Sequence, residues 1–363
     1  MKPLSIKRLR LSGFLSFAPD SEPVELRNLN VLIGPNGSGK SNLIEAVELL
    51  HATPTAFANA IRDGGGAEEW IWKGKGPSTQ ATIEAVVSAS PTHSRDMRYQ
   101  LVFRSVAHRL EIVDEVIEET TRRAQNAKDV LFFYRFQDGH PAINTRKTAN
   151  KVEQPKLSDY VSRRIEQQML RPDESVLSQR KEPDLYPEIA WLGNQFSRIQ
   201  TFREWSFGRY ADLRKPQPAN LPSDVLLEDS SNLGLVLNEL EHLGYAPEFS
   251  RCLKRFFPRF ERMSTRVIGG TVQFYLHESG FSSPIPANRL SDGTIRFLAL
   301  LATLLNPAPP PIVCIEEPEL GLHPDALLLI AKLTYRRYRA NSAAVWKIPS
   351  GRRGALPGEG RAR

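Results

Sequence analysis

The residues best suited to chemistry in this sequence form one glycine-rich segment that ends in a lysine and a hydroxyl. The segment is Gly34-Pro35-Asn36-Gly37-Ser38-Gly39-Lys40-Ser41, a match to the phosphate-loop pattern G-x-x-x-x-G-K-[ST]. Its glycines allow a tight turn whose backbone N–H groups point at phosphate oxygens. Lys40 can bring a positive charge to the β- and γ-phosphates, and the Ser41 hydroxyl can ligate Mg²⁺. The segment therefore predicts a nucleoside triphosphate site, and we expect Asn42 to contact the nucleotide as well.

The residues on either side of this loop predict the two elements that would hold it. Before the loop, Val31-Leu32-Ile33 is a short apolar run typical of a buried parallel strand. After it, Leu43, Ile44, Val47 and Leu50 recur at the spacing of a helix with one apolar face. A helix that begins at the loop turns its partially positive N-terminus toward the phosphates. The alternative interpretation is a glycine-rich turn that contains Lys-Ser by chance. Such a turn would not require a strand before it and a helix after it.

A pair of carboxylates follows a second apolar strand near the end of the sequence. This strand runs from Pro311 to Ile315 and leads into Glu316 and Glu317. A phosphate-loop ATPase needs one carboxylate for the Mg²⁺ shell and another to orient and deprotonate the attacking water. Alone, the pair is explained at least as well by an acidic loop after a core strand. Combined with Lys40 and Ser41, it predicts a catalytic site.

A third motif lies about twenty residues before that strand. It is the turn Ser291-Asp292-Gly293, which opens the apolar helix FLALLATLL. By itself the turn is a good helix start and nothing more. Its order and spacing relative to the other two motifs indicate a further role.

Together the three motifs resemble the ABC-type ATPase head. They are most similar to the RecF/SMC-like group of bacterial ATPases, which includes predicted AAA-family ATPases related to OLD proteins. The resemblance covers roughly residues 1 to 335 and is carried by IKRLRLSGFLSF, GPNGSGKSNLIEAV, DSSNLGLVLNEL, LSDGTIRFLALLATLL and IVCIEEPELGLHPDAL. It implies an α/β fold, a P-loop NTPase of the ABC-ATPase head type with a mixed sheet and an inserted helical subdomain.

The resemblance also implies a site shared between two copies of the chain. Two heads would pack head to tail around two ATP molecules with Mg²⁺, and residues 320–324 would lie at the dimer contact. Ser291 and the Gly293 backbone of one head would face the γ-phosphate held by the other head. The implied catalytic residues are Glu317, Glu316 and Lys40, and the implied Mg²⁺ ligands are Ser41 and Glu316.

Four segments are expected along the chain. Residues 1–150 form the first part of the ATPase head, with the phosphate loop and an antiparallel sheet, and residues 151–265 form a helical insert or lid. Residues 266–335 form the second part of the head, and residues 336–363 form a basic, disordered tail.

In the family that this chain resembles, the sequence continues into an apolar strand that ends in a histidine sensing the γ-phosphate. Here the last histidine is His323, and the tail has no such strand. The composition of the tail is that of a truncated or frame-shifted end. Loss of the sensing histidine favours ATP binding over rapid hydrolysis.

Composition narrows the class of protein. The chain has 363 residues and a net charge of +7, and 40% of its residues are hydrophobic, as in an ordinary soluble globular protein. Residues 333–363 carry eight Lys or Arg and one acid, so the basic tail accounts for the net charge and the rest is balanced. No apolar run approaches the roughly 20 residues of a membrane span. Two cysteines without metal-ligand spacing fit a reducing cytoplasm.

Three functions remain open on the sequence. The first is an ATP-driven dimerising switch in DNA repair or genome maintenance, with DNA contact implied only by the resemblance. The second is a regulatory ATPase of a defence system that works with a partner nuclease. The third is a nucleotide-binding remnant without turnover. A kinase fits less well, because the turn at 290–294 and the paired carboxylates suit hydrolysis by a dimer.

Overall fold

The computed structural model describes most of the chain, as helices, strands and connecting loops. It covers residues 4–76, 78–90, 94–122, 129–137, 140–147, 159–166, 169–203, 205, 207–338 and 343–349, with only the backbone at 136–137 and 343–349. The strands in these ranges are β1 (Ile6–Ser12), β2 (Val24–Glu25), β3 (Leu29–Gly34), β4 (Gln80–Val87), β5 (Met97–Val106), β6 (Arg109–Glu119), β7 (Phe132–Gln137), β8 (His140–Arg146), β9 (Tyr160–Arg164), β10 (Gln200–Phe202), β11 (Gln217–Pro218), β12 (Phe260–Ile268), β13 (Thr271–Glu278), β14 (Ile285–Pro286), β15 (Ile312–Glu316) and β16 (Ala343–Pro349). The α-helices are α1 (Lys40–Ala52), α2 (Phe57–Asp63), α3 (Ala67–Trp70), α4 (Val176–Gln179), α5 (Pro187–Phe196), α6 (Leu233–His242), α7 (Ala246–Phe256), α8 (Asp292–Leu305) and α9 (Pro324–Tyr338).

The strands form three sheets. An antiparallel sheet has the order β2-β1-β4-β5-β6-β7-β8-β9, and a parallel sheet has the order β10-β15-β16-β3. A third, antiparallel sheet is built from β11, β13 and β12, with β14 paired to β13. This arrangement confirms the predicted α/β class, and it places the parallel and antiparallel strands in separate sheets.

The parallel sheet lies between two hydrophobic cores. On β15, Ile312 and Cys314 belong to the core shared with the antiparallel sheet and α1, whereas Val313 and Ile315 belong to the core of α6, α8 and α9. All four side chains are buried. A strand that is buried on both faces has apolar residues at consecutive positions. This continuous apolar run is why the sequence alone predicts a strand here.

The tail was expected to lack an apolar strand that ends in a histidine; a strand is present, so that part of the prediction was wrong, whereas no histidine follows His323 in the sequence. The backbone of β16 pairs in parallel with β15 on one side and with β3 on the other. Its sequence, AAVWKIP, is short and is surrounded by Arg- and Gly-rich residues, so composition concealed it. Without β16, the facing edges of β15 and β3 would be unpaired. Their backbone N–H and C=O groups pair with this segment and stabilise it as a strand. The predicted tail boundary also falls inside α9, which ends at Tyr338; residues 350–363 lie outside the described part of the chain.

The middle segment is less helical than expected. Within its described residues, α4, α5, α6 and α7 alternate with strands, and β10 is a member of the parallel sheet. The segment 151–265 therefore contributes to the head itself as well as to its helical layer. The sequence Asp229-Ser230-Ser231-Asn232 before α6 is typical of a helix start, but Asn232 does not cap the helix with its side chain, because its amide donates to the carbonyls of Pro222 and Val225.

One buried carboxylate ties the antiparallel sheet to α4. Glu115 on β6 is 2% exposed and accepts hydrogen bonds from the Tyr99 hydroxyl, the Ser175 hydroxyl and the Val176 backbone N–H. Burial raises the pKa of Glu115 to about 7, although the three hydrogen bonds oppose the shift. The folded protein thus binds a proton here that the unfolded chain releases near pH 4.5.

This group predicts a loss of stability as the pH rises. Because the folded pKa of Glu115 lies above the unfolded value, its contribution is complete below pH 4.5 and declines as the pH passes through 7. The free energy of unfolding should fall by up to about 3 kcal/mol over this range. Urea unfolding between pH 5 and pH 8 measures the loss, and Glu115→Gln should flatten the curve. The same pH dependence in both proteins would contradict the assignment.

Candidate functional site

The glycine-rich loop connects a strand and a helix as the sequence predicts, although the strand is not buried as expected, since Val31 and Ile33 are 40% and 62% exposed. β3 ends at Gly34 and α1 begins at Lys40. Gly37 and Gly39 have φ values of +77° and +84°, a backbone conformation that side chains with a Cβ rarely adopt. The Lys40 ammonium donates hydrogen bonds to the Gly34 carbonyl (2.8 Å), the Pro35 carbonyl (2.7 Å) and the Ser38 hydroxyl (3.1 Å). The Lys40 ammonium therefore lies across the loop, in contact with three of its oxygen atoms. The phosphate oxygens of a bound nucleotide can replace these partners.

The first residues of α1 are braced by the loop between β1 and β2. The Asn42 amide donates to the Ser16 hydroxyl at 2.8 Å. A Cβ added to Gly39 would lie 2.9 Å from the Ser16 Oγ and 3.6 Å from the Phe17 ring, so glycine permits this close approach. The structure thus gives Asn42 a bracing contact, and its nucleotide contact stays a prediction.

The paired carboxylates lie at the same edge of the parallel sheet as this loop. β15 ends at Glu316, which is in register with Lys347 of β16, and Lys347 is in register with Leu32 of β3. Carboxyl ends of parallel strands meet at one edge of a sheet, where α/β proteins bind their ligands. Two strand spacings separate β15 from β3, or about 10 Å. This edge therefore brings together the loop from Gly34 to Ser41 and the Glu316-Glu317 pair.

Arg203, which sequence analysis did not single out, joins these two parts of the site. It follows β10, and its guanidinium lies 2.9 Å from the Glu45 carboxylate, 2.8 Å from that of Glu48 and 3.5 Å from that of Glu316. Burial alone would lower the Arg203 pKa, but the carboxylates outweigh it and raise the pKa. Arg203 therefore holds α1 and the end of β15 together. No local pattern indicates this role, because Glu45 and Arg203 are 158 residues apart.

A cavity of about 690 Å³ lies beside this ion-pair cluster. Apart from Arg203, its charged lining is acidic and would repel a triphosphate. It is therefore distinct from the predicted nucleotide site. The acidic residues of the lining are Glu45, Glu48, Asp63, Glu69, Glu228 and Asp229.

The third motif caps a buried helix, as predicted. The Ser291 hydroxyl accepts a hydrogen bond from the Thr294 backbone N–H at 3.1 Å, and α8 runs from Asp292 to Leu305. Ser291 and Asp292 are exposed, whereas the helix from Thr294 onward is buried. The partially positive N-terminus of α8 thus opens at the surface, where it can meet an anion from outside the chain.

A second arginine that sequence analysis missed fixes the position of this turn. Arg214 is 4% exposed, and its guanidinium donates to the Phe207 carbonyl (2.8 Å), the Leu290 carbonyl (2.6 Å) and the Ala287 carbonyl (3.2 Å). It also pairs with the Asp292 carboxylate. Hydrogen bonds from a buried charged group are stronger than neutral ones, so Arg214 holds the turn rigidly. The contacts with Ala287 and Leu290 span more than 70 residues of sequence, and no motif reveals them.

The oxygen groups at the site suit Mg²⁺ only in the presence of a nucleotide. Among the described residues, no three His, Cys, Asp or Glu side chains form a cluster that could hold a metal. The predicted ligands are one hydroxyl, Ser41, and one carboxylate, Glu316. Mg²⁺ is commonly held by one or two such protein oxygens together with substrate phosphates and water. The donor set therefore fits a cation that arrives with a triphosphate.

Comparison with protein families agrees with this geometry. Residues 29–343 match the model of a family described as "AAA domain, putative AbiEii toxin, Type IV TA system". Over 69 residues, 18% of this chain, the sequence is 42% identical to the chromosome partition protein Smc of Cereibacter sphaeroides (strain ATCC 17029 / ATH 2.4.9). The aligned part is 6% of that much longer protein.

Two solved structures share the fold at low sequence identity. One is the Smc head domain with an extended coiled coil bound to the C-terminal domain of ScpA, derived from Pyrococcus furiosus, with a TM-score of 0.53 and 13% identity. It aligns over 95% of this chain and 90% of that one. The other, an SmcHead bound to the C-winged helix domain of ScpA, has a TM-score of 0.50 and 14% identity over 95% and 89% of the two chains. Both support an SMC-like ATPase head fold. No helix in the described residues is long and apolar enough to cross a membrane.

Proposed function

This chain belongs to the AAA domain family whose model it matches, and we propose that it binds Mg·ATP and hydrolyses it between two heads packed head to tail. The observation that carries the proposal is the shared edge of the parallel sheet. There β3 delivers the phosphate loop and β15 delivers Glu316 and Glu317. Proteins of this family and of the SMC-head fold are usually ATPases that bind a nucleotide with Mg²⁺.

Each group in this arrangement has a defined chemical role. The backbone N–H groups of residues 34–41 and the Lys40 ammonium would hold the β- and γ-phosphates. Ser41 and Glu316 would hold Mg²⁺, which neutralises charge on the phosphate oxygens when it is bound. Glu317 would take a proton from the water that attacks the γ-phosphorus. The bond to the bridging oxygen then breaks, and ADP and phosphate leave.

The turn at 291–293 would complete the site of a second copy. Its exposed helix N-terminus offers the Ser291 hydroxyl and backbone N–H groups to an anion outside the chain. Donors that face the developing charge on the γ-phosphate lower the barrier for its transfer. A monomer would therefore bind ATP and hydrolyse it slowly.

We further propose a role in DNA repair or genome maintenance, in the reducing cytoplasm. The related sequence is a chromosome partition protein, and both cysteines of this chain are buried free thiols. The family description, which mentions a toxin and a toxin–antitoxin system, favours a second candidate. This is a regulatory ATPase of a defence system that acts with a partner protein such as a nuclease. A nucleotide-binding remnant without turnover is the third.

Phosphate release from Mg·ATP across a protein concentration series tests the dimer. We expect the activity per monomer to rise with concentration and then to saturate, because each site needs residues of two chains. Lys40→Ala should remain at background, since it removes the charge that faces the phosphates. If the wild-type protein does not exceed Lys40→Ala but binds fluorescent ATP, hydrolysis is disproved and the remnant becomes the leading account. Stimulation by duplex DNA would favour the genome-maintenance role over the defence role.

A further inference from the structure

The buried arginine of α8 touches the loop that carries Glu317. Arg296 is 6% exposed, and its guanidinium donates to the Leu320 carbonyl. It is stacked against the rings of Trp205 and Phe207, 5.4 Å and 5.5 Å from their centroids. Its Nε has no hydrogen-bond partner among the described residues. A buried guanidinium with these contacts is fixed in place by its aromatic neighbours and by one backbone oxygen.

The backbones of α8 and of this loop also touch directly. A Cβ added to Gly293 would lie 2.5 Å from the Gly321 carbonyl oxygen. The loop itself is tightly turned, since the Leu320 N–H donates to the Glu317 carbonyl at 3.0 Å. Glu317 has a φ of +48°, a conformation that costs free energy for a residue with a Cβ. The surroundings must hold Glu317 in this conformation, and α8 contacts the same loop at Leu320 and Gly321.

The charges of the two elements are complementary. Burial lowers the Arg296 pKa, and the carboxylates of Glu319 and Glu317 oppose that shift. The cation therefore faces the acidic loop from the first turns of α8. Those same turns begin at Ser291, the residue expected to contact the nucleotide of a second copy.

We propose that Arg296 is a positioning residue that couples the turn at 291–293 to Glu317 of the same chain. This inference rests on the proposed function, in which residues 291–293 and Glu317 serve two different nucleotides of one dimer. A phosphate at the turn would shift the first residues of α8. Through Arg296 and the Gly293–Gly321 contact, the shift reaches the loop 317–321 and sets the position of the general base. Nucleotide binding at one site of the dimer thus changes the position of the general base at the other site.

Replacement of Arg296 tests the coupling, with Arg289→Met as the matched control at an exposed arginine before the same turn. We expect Arg296→Met to bind fluorescent ATP within about threefold of wild type. Its kcat should fall at least about tenfold, because a misplacement of about 1 Å can cost about 100-fold in rate. Arg296→Lys keeps the charge without the planar stack, so its kcat should lie between those of wild type and Arg296→Met. A kcat within twofold of wild type for Arg296→Met, or an equal loss of ATP-binding stoichiometry, would overturn the proposal.

Mixed dimers identify the site on which Arg296 acts. A heterodimer of Glu317→Gln with Arg296→Met binds two nucleotides but has one general base, the Glu317 of the Arg296→Met chain. If Arg296 positions Glu317 of its own chain, this heterodimer hydrolyses ATP at least about tenfold more slowly than Glu317→Gln mixed with wild type. Activity equal to that mixture would contradict the coupling.

Hydrogen exchange gives a readout that needs no turnover. Arg296→Met should raise the exchange of amides at 317–322 about fivefold or more, whereas peptides covering 34–41 should be unchanged. Unchanged exchange at 317–322 would disprove the coupling. This result stands even when the wild-type protein shows no hydrolysis, so failure of the inference and failure of the ATPase proposal are distinguishable.

Discussion

Glu317→Gln is expected to stop ATP turnover while leaving ATP binding intact. The amide has nearly the shape of the carboxylate, so the loop after β15 should keep its conformation. It cannot accept a proton from the attacking water, and loss of a general base typically costs about 100- to 10,000-fold in rate. Phosphate release and binding of fluorescent ATP, measured on the same preparation, separate the two effects. We also expect ATP to trap this variant as a dimer in light-scattering measurements, because the complex that forms is not consumed.

Two controls make this result specific. Glu241→Gln changes an exposed carboxylate on α6, far in sequence from the three motifs, and should hydrolyse ATP at the wild-type rate. Lys40→Ala should fail at the earlier step, with weak binding and no trapped dimer. Retention of more than about a tenth of the wild-type kcat by Glu317→Gln would show that another group takes the proton. Glu319, whose carboxylate faces Arg296, would then be the next candidate.

The parts of the site that sequence analysis predicted are contiguous in the chain. β3, the glycine loop and α1 span 24 residues, and their positions follow from local rules on glycine, apolar periodicity and helix starts. The Ser291 cap is equally local and was confirmed. β15 was recognisable because burial on both faces leaves an uninterrupted apolar run.

The parts that sequence analysis missed depend on residues distant in the chain. Arg203, Arg214 and Arg296 each bind a partner distant in sequence, at separations of 158, 76 and 24 residues, and an isolated arginine in a sequence resembles any exposed one. β16 depends on its neighbours in a similar way. Its own propensity is modest, and its pairing with β15 and β3 decides its structure. Asn232 shows the converse case, in which a good capping residue is used by a loop instead.

Gly293→Ala is expected to have the second large effect, because the space for a methyl group is filled by backbone. The new Cβ would lie 2.5 Å from the Gly321 carbonyl oxygen, so α8 and the loop 317–321 must move apart. Overpacking of this kind costs about 1–3 kcal/mol in the free energy of unfolding. We expect kcat to fall more than about tenfold as well, since the displaced loop carries Glu317. Binding of ATP to the phosphate loop should change little, because β3 and α1 do not contribute to this contact.

The matched control for Gly293→Ala is Gly208→Ala, at a glycine whose added Cβ would meet nothing within 4 Å. Urea unfolding and phosphate release are measured for both variants. If only Gly293→Ala loses stability and turnover, the close contact between α8 and the loop 317–321 is required for both. If Gly293→Ala loses stability but keeps its kcat, the loop tolerates displacement and Glu317 is positioned by other contacts. Because Arg296 bridges the same two elements, that result would also weaken its proposed coupling role.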